Sequence, residues 1–187
     1  MKITSMLAVL VLLVGTIANA QSKKVDIKKS EIEWDAKKVT GEHNGNILFQ
    51  SGVLEFEGDK LTGGEFVVDM TSITNLDIES DEYKQKLIGH LKSDDFFSVS
   101  TYPTSKLALT SVKSMGDGYH VNGKLTIKGK THPIEFHVTK SDGVYKGSMT
   151  VDRTKYDVRY GSGKFFDDLG DKMIYDDFTL TFKVVTK

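Results

Sequence analysis

The clearest pattern in this chain is an alternation of apolar and polar side chains that begins at Tyr119 and runs to Arg153. Val121, Leu125 and Ile127, then Ile134, Phe136 and Val138, then Tyr145, Met149 and Val151 fall on one phase of a two-residue period. That period sends successive side chains to opposite faces of a pleated strand, so each run has one apolar and one wetted face. The runs are separated by Gly129-Lys130 and Asp142-Gly143, both of the composition that tight hairpins require. The pattern predicts an antiparallel meander that needs an apolar surface to cover.

The same period recurs on either side. Ser30–Lys38 alternates with Ile32, Trp34 and Ala36 on one face, and Val39–Gly45 reads as a loop. Asn46–Glu57 is a longer strand whose apolar phase slips between Ile47/Phe49 and Leu54/Phe56, which predicts a bulge near Ser51-Gly52. Gly63–Thr71 places Phe66, Val68 and Met70 on one side, Ser105–Met115 is a further strand, and Asp177–Val185 aligns Phe178, Leu180, Phe182 and Val184. Between Ser72 and Thr104 the period changes: Tyr83, Leu87 and His90/Leu91 follow helical spacing after Ser80-Asp81-Glu82, where the serine or an aspartate can cap. Eight strands and one short helix make an all-β unit. Eight antiparallel strands in succession most simply close into a barrel, which removes exposed edges and is about wide enough for one slim ligand. A two-sheet sandwich packed solid is the alternative.

Strand direction alternates, so the long connections share one end. Gly41–Gly45, Ser72–Thr104, Gly129–His132 and Thr154–Ile174 gather at a mouth, while Gly58–Thr62, Gly116–Gly118 and Ser141–Gly143 are tight turns at a floor. Elaborated loops at one end are where binding residues collect. Arg153 keeps the parity of Met149 and Val151 and is expected to point inward there; an ion pair with Asp69 or Asp152 is the plainer role. His43, His90, Lys130 and His132 sit at the same end, and His90 alone is taken as a candidate.

Composition narrows the partners. The chain has 187 residues, no cysteine and a net charge of −1. Disulfides, thiolate metal sites and thiol nucleophiles are therefore out of reach, and the charge balance has no footprint for nucleic acid. Lys2, the aliphatic run Met6–Val14 and Ala18-Asn19-Ala20 have the anatomy of a secretory signal peptide cleaved after Ala20. The expected organisation is residues 1–20 as signal and 21–187 as one periplasmic or secreted domain, with no transmembrane span after cleavage.

Catalytic signatures are lacking. There is no Gly-x-Ser-x-Gly, and Gly161-Ser-Gly-Lys164 lacks the earlier glycine of a phosphate loop. His132 and His137 have opposite parity and cannot share a metal from one face. Asp167, Asp168, Asp171, Asp176 and Asp177 have the composition of a calcium site or of paired carboxylates, but a solvated acidic loop is the simpler reading. Neither catalytic nor metal-ligating residues are assigned.

The ordered blocks Trp34 with Gly41-Glu42-His43-Asn44-Gly45, Gly64–Ile73, His90–Phe97 with Tyr102-Pro103, Gly123–Thr131 and Asp152–Tyr156 together resemble the YceI-like family of exported polyisoprenoid-binding proteins, over essentially the whole mature chain. The resemblance implies a lipocalin-like barrel with a helix over its opening and a long isoprenoid, isoprenoid quinone or other lipid as interior cargo, with no other cofactor. Candidate lining residues are Trp34, Phe66, Met70, Leu125, Ile127, Phe136, Met149, Phe178 and Phe182, with Phe96 and Phe97 closing the top and His90 and Arg153 at the mouth. Plain core packing is the rival role for each. Where the family often has arginine-serine-aspartate-phenylalanine-glycine, this chain has Arg153-Thr154-Lys155-Tyr156-Asp157, which changes the charge at the mouth. An exported interaction module with a filled barrel and no lipid is the alternative, and self-pairing into a homodimer is left open.

Overall fold

The computed structural model describes residues Ala20–Lys187; the expected signal peptide lies, Ala20 apart, outside the described residues. Ten strands are present: β1 Ala20–Lys24, β2 Glu31–Lys38, β3 Gly41–Asn46, β4 Leu48–Glu57, β5 Lys60–Asp69, β6 Thr104–Met115, β7 Gly118–Ile127, β8 Lys130–Ser141, β9 Val144–Asp152 and β10 Ile174–Val185, with one α-helix, α1, at Asp81–Lys92. They form one antiparallel sheet in the order β1-β4-β5-β6-β7-β8-β9-β10-β2-β3. The sheet curls until its ends meet. Only Ile47 separates β3 from β4, and its N–H donates to Ile32 O at 3.1 Å, while Val25 after β1 bridges Thr186 after β10.

The all-β class and the single short helix agree with the sequence pattern, but the strand count is ten rather than eight. Two strands escaped because they have no apolar phase. Ala20–Lys24 is polar and fully exposed along an edge. Gly41–Asn46, of which Gly41–Gly45 falls in the expected loop and Asn46 in the strand expected to follow, pairs with β2 from Lys38↔Gly41 to Glu33↔Asn46, so only Val39 and Thr40 turn, and His43 belongs to a strand. The bulge falls at Gln50, where Phe49 pairs with Val68 and Ser51 with Val67. The hairpins at Lys128-Gly129 and Asp142-Gly143 have positive φ at both central residues, the twist that a two-residue connection needs.

Ser80 stands at the N-cap of α1 without a capping bond; Asp81 and Glu82 in the first turn face the positive end of the helix dipole instead. Leu91 is buried and Leu87 packs on the core, but Tyr83, expected on the same apolar stripe, is 64% exposed. Among the described residues no helix is long and apolar enough to cross a membrane.

One joint in the wall is incomplete. The β8–β9 ladder runs from Ser141↔Val144 to His137↔Ser148 and stops, although β8 stays paired with β7 to Lys130 and β9 with β10 to Asp152. Pro133, which has no N–H to donate, lies in the unladdered part of β8. The 3₁₀ turn Arg153–Tyr156 packs into the wedge, with Tyr156 buried and its ring 5.2 Å from that of His132.

Candidate functional site: an apolar cavity and its rim

Two strands reach the mouth through the same local device. The Asp69 carboxylate accepts from Thr71 N at 2.8 Å and Thr71 Oγ1 at 2.6 Å; Asp152 does likewise with Thr154, at 3.0 and 2.5 Å. Each aspartate thereby caps a 3₁₀ turn, satisfying N–H groups the turn leaves unpaired. The residue between aspartate and threonine is buried in both cases: Met70 in the first, Arg153 in the second.

Arg153 is 2% exposed. Its Nε donates to Tyr175 O at 3.1 Å, Nη1 to Val158 O and Tyr160 O at 2.9 Å each, and Nη2 to Ile174 O at 3.0 Å. Its ionic partner is Asp176, 3.6 Å away, rather than Asp69 or Asp152. Lys164 adds bridges to Asp152 at 3.1 Å and Asp176 at 3.3 Å. Burial pulls the guanidinium below its usual value, and Asp176 and Asp152 oppose that pull. Four of its five donors are thus committed to carbonyls, and the fork anchors the connection from Val158 to Tyr175 to the top of β9.

Beneath this rim lies a cavity of about 170 Å³ walled almost wholly by apolar side chains. Trp34, Phe66, Met70, Leu125, Ile127, Phe136, Met149, Phe178 and Phe182 all border it, Phe96 and Phe97 close its top, and Arg153 lies at its upper edge. The Phe97 ring sits 5.0 Å from Phe96 and 6.4 Å from Phe178, which carries the lid across to β10. Just beyond the pair, Ser98 takes φ +48° and turns the chain back. His90 does not border the cavity; its ring packs edge-on against Phe96 at 5.6 Å and Tyr160 at 4.4 Å. The other mouth histidines do not converge on it either, since His43 bonds Asp77 at 2.7 Å and His132 packs on Tyr156.

The wall also includes Leu107 and Leu109 of β6 and Leu180 of β10, which are not among the expected lining residues. On β6 a further irregularity, at Thr110, shifts the phase: Leu109 pairs with Gly123, but Ser111 pairs with Asn122. Several inward side chains are only half-buried, namely Leu107 and Leu109 on one side and Phe178, Leu180 and Phe182 on the other. Their parity points inward, so the surface they keep faces the hollow. Strands β6 and β10 stand four places apart around the sheet, and the hollow is a slot between them. The polar groups nearby are already engaged: Trp34 Nε1 donates to Thr74 O at 3.1 Å and Ser105 Oγ to Met70 Sδ at 3.0 Å.

A model of the YceI-like domain matches residues 24–186. A UPF0312 protein of Photorhabdus laumondii is 33% identical over 98 residues, a match covering 50% of this chain and 49% of that relative, so the chain spans about half its length. Among solved structures, BcnA of Burkholderia cenocepacia superposes with a TM-score of 0.68 at 23% identity, over 86% of this chain and 98% of that one. A polyisoprenoid binding domain from Saccharophagus degradans, implicated in plant cell wall breakdown, gives a TM-score of 0.56 at 14% identity over 86% of this chain and 95% of that one. At these identities the structural matches establish the fold alone.

Proposed function

This chain belongs to the YceI-like domain family, and from that premise we propose that its barrel is a non-catalytic carrier or store for a long-chain amphiphilic lipid, a polyisoprenoid or isoprenoid quinone, working in the periplasm or outside the cell after loss of residues 1–20. The observation that carries this reading is the cavity wall: almost wholly apolar, with the Trp34 indole, the Ser105 hydroxyl and the Arg153 guanidinium already bonded to protein. Such a wall offers nothing to a reacting polar centre and everything to a hydrocarbon. Transfer of each methylene from water is worth about 0.8 kcal/mol, so a chain of tens of carbons has ample driving force even after its ordering is subtracted. A structural neighbour described as a polyisoprenoid binding domain supports the same class of cargo.

The hollow is comparable to a dry engineered cavity of about 150 Å³ that accepts benzene. A long chain therefore requires the half-buried side chains of β6 and β10 to swing aside, and the tail, not the head, is what the interior selects. Intact-mass spectrometry under non-denaturing conditions, with organic extraction of the same sample, tests the proposal. The expected result is a stoichiometric lipid that is lost in Phe136→Asp and reduced in Leu107→Trp, which fills the slot at a cost of about 1–3 kcal/mol. Freshly purified, folded protein that yields no lipid and binds none when offered would overturn it in favour of a filled interaction module.

A further inference from the structure

The exposed large apolar side chains are not spread evenly. Among the described residues only Ile27 and Met115 lie at the floor; the others sit on the mouth-side half, and four of them are tied to the segment that Arg153 holds, Tyr160, Phe165 and Phe166 in the connection and Tyr175 at the start of β10. These four are 44–50% exposed. Arg153 binds the carbonyls of Tyr160 and Tyr175 directly, and Ser162, fully buried, accepts from Phe165 N and Phe166 N at 3.1 Å each. The loop is thus built to hold aromatic rings out in water, the reverse of what burial alone favours.

We infer that this aromatic rim is a docking surface for an uncharged or zwitterionic lipid bilayer; the inference rests on the reading of the barrel as a lipid carrier. Two further observations choose the partner. Tyr175 both borders the cavity and stands half in solvent, so one of the exposed rings reaches from the rim into the wall of the hollow. The charge of the rim bears on the headgroup. Arg153, Lys155, Arg159, Lys164 and Lys172 stand against Asp152, Asp157, Asp167, Asp168, Asp171 and Asp176, and ion pairs join Arg159 to Asp157, Lys164 to Asp152 and Asp176, and Arg153 to Asp176, so the rim is close to neutral. A rim this close to neutral has no net attraction for anionic headgroups and leaves uncharged or zwitterionic ones to be met through the rings. Tyrosine and phenylalanine are suited to the boundary between headgroups and acyl chains.

Flotation with phosphatidylcholine vesicles tests this, alongside vesicles in which a third of the lipid is anionic phosphatidylglycerol. Wild-type chain should float with the first and no better with the second. The double substitution Phe165→Ser with Phe166→Ser should lower the floating fraction at least tenfold, while Met115→Ser at the floor leaves it unchanged. Emission from Trp34, the one tryptophan, reports whether each variant is folded. Equal flotation of the double variant, preference for anionic vesicles, or a wild-type dimer that the double variant abolishes would each overturn the inference. Lipid extracted from the same samples is scored separately. Vesicle binding without cargo fails the carrier reading, and cargo without vesicle binding fails only the docking surface.

Discussion

Trp34 pairs with Gly45 across the β2–β3 ladder, and the carbonyl of Thr74 occupies the place where a Gly45 side chain would stand, accepting the Trp34 indole N–H at 3.1 Å. A Cβ at Gly45 would lie 1.9 Å from that oxygen. The glycine is thus what lets Thr74 to Leu76 run along the outer edge of β3, where Thr74 N donates to Asn46 O and Leu76 N to Asn44 O.

Gly45→Ala should therefore act at a distance from the cavity it does not touch. The clash is with backbone, and relief means pushing Thr74 off the edge and breaking the Trp34 bond. The expected cost is more than about 2 kcal/mol, read as a lowered denaturant midpoint with a red-shifted Trp34 emission. An unchanged midpoint would mean that Thr74 does not hold its place in solution.

Arg153→Met removes at once the four side-chain bonds that tie Val158, Tyr160, Ile174 and Tyr175 to the top of β9 and leaves Asp176 Oδ1, already without a hydrogen bond, without its guanidinium partner. Breaking a buried ionic pair in this way costs on the order of 3 kcal/mol. Arg153→Lys should recover only part of it, because one ammonium cannot reach carbonyls spread from Val158 to Tyr175. Urea unfolding of the three proteins checks the ranking. Equal stability of the lysine and arginine forms would sink the anchoring role.

Phe97→Ala takes away the ring that joins Phe96 to Phe178 over the top of the hollow. It should speed release of a bound fluorescent polyisoprenoid analogue several-fold while leaving the fold intact, since Phe97 is half-buried rather than central. Release rates by stopped flow decide it; an unaltered rate would place the exit elsewhere.

Tyr156 makes the alkaline limit of the fold predictable. Burial, with the nearby Asp152 charge adding to it, pushes its phenol up to about 12. The folded value lies above the unfolded one near 10, so the folded chain holds this proton more tightly. Its contribution is whole below pH 10 and is lost as pH climbs from 10 to about 12. Tyr156→Phe should flatten the decline in that window, measured by urea midpoints at stepped pH. Parallel curves for the two proteins would refute the assignment.

The strands that were legible are those whose inward positions are apolar on a two-residue period, as in β7 through β9. β1 and β3 were not, because Ala20–Lys24 and Gly41–Asn46 have no greasy phase; at Gly45 a neighbouring carbonyl does the filling that a side chain does elsewhere. The inward parity of Arg153 could be read from Met149 and Val151, but its partners could not, since backbone carbonyls of a distant loop leave no mark in residue type. Cavity lining divides in the same way. Phe178 and Phe182 were readable from β10, whereas Leu107 and Leu109 were hidden by the shift of phase at Thr110. His90 has helical spacing in its favour, yet only packing decides that its ring backs Phe96 instead of meeting the hollow.

A tub whose staves are glued along every edge can swell only by straining every joint. Here the glue between two staves covers five residue pairs above the Asp142-Gly143 hairpin and then ends, with a tyrosine wedged where it would continue. Girth for a guest broader than the resting slot can be gained by splaying those two staves about the hairpin, as a clothes-peg opens about its spring.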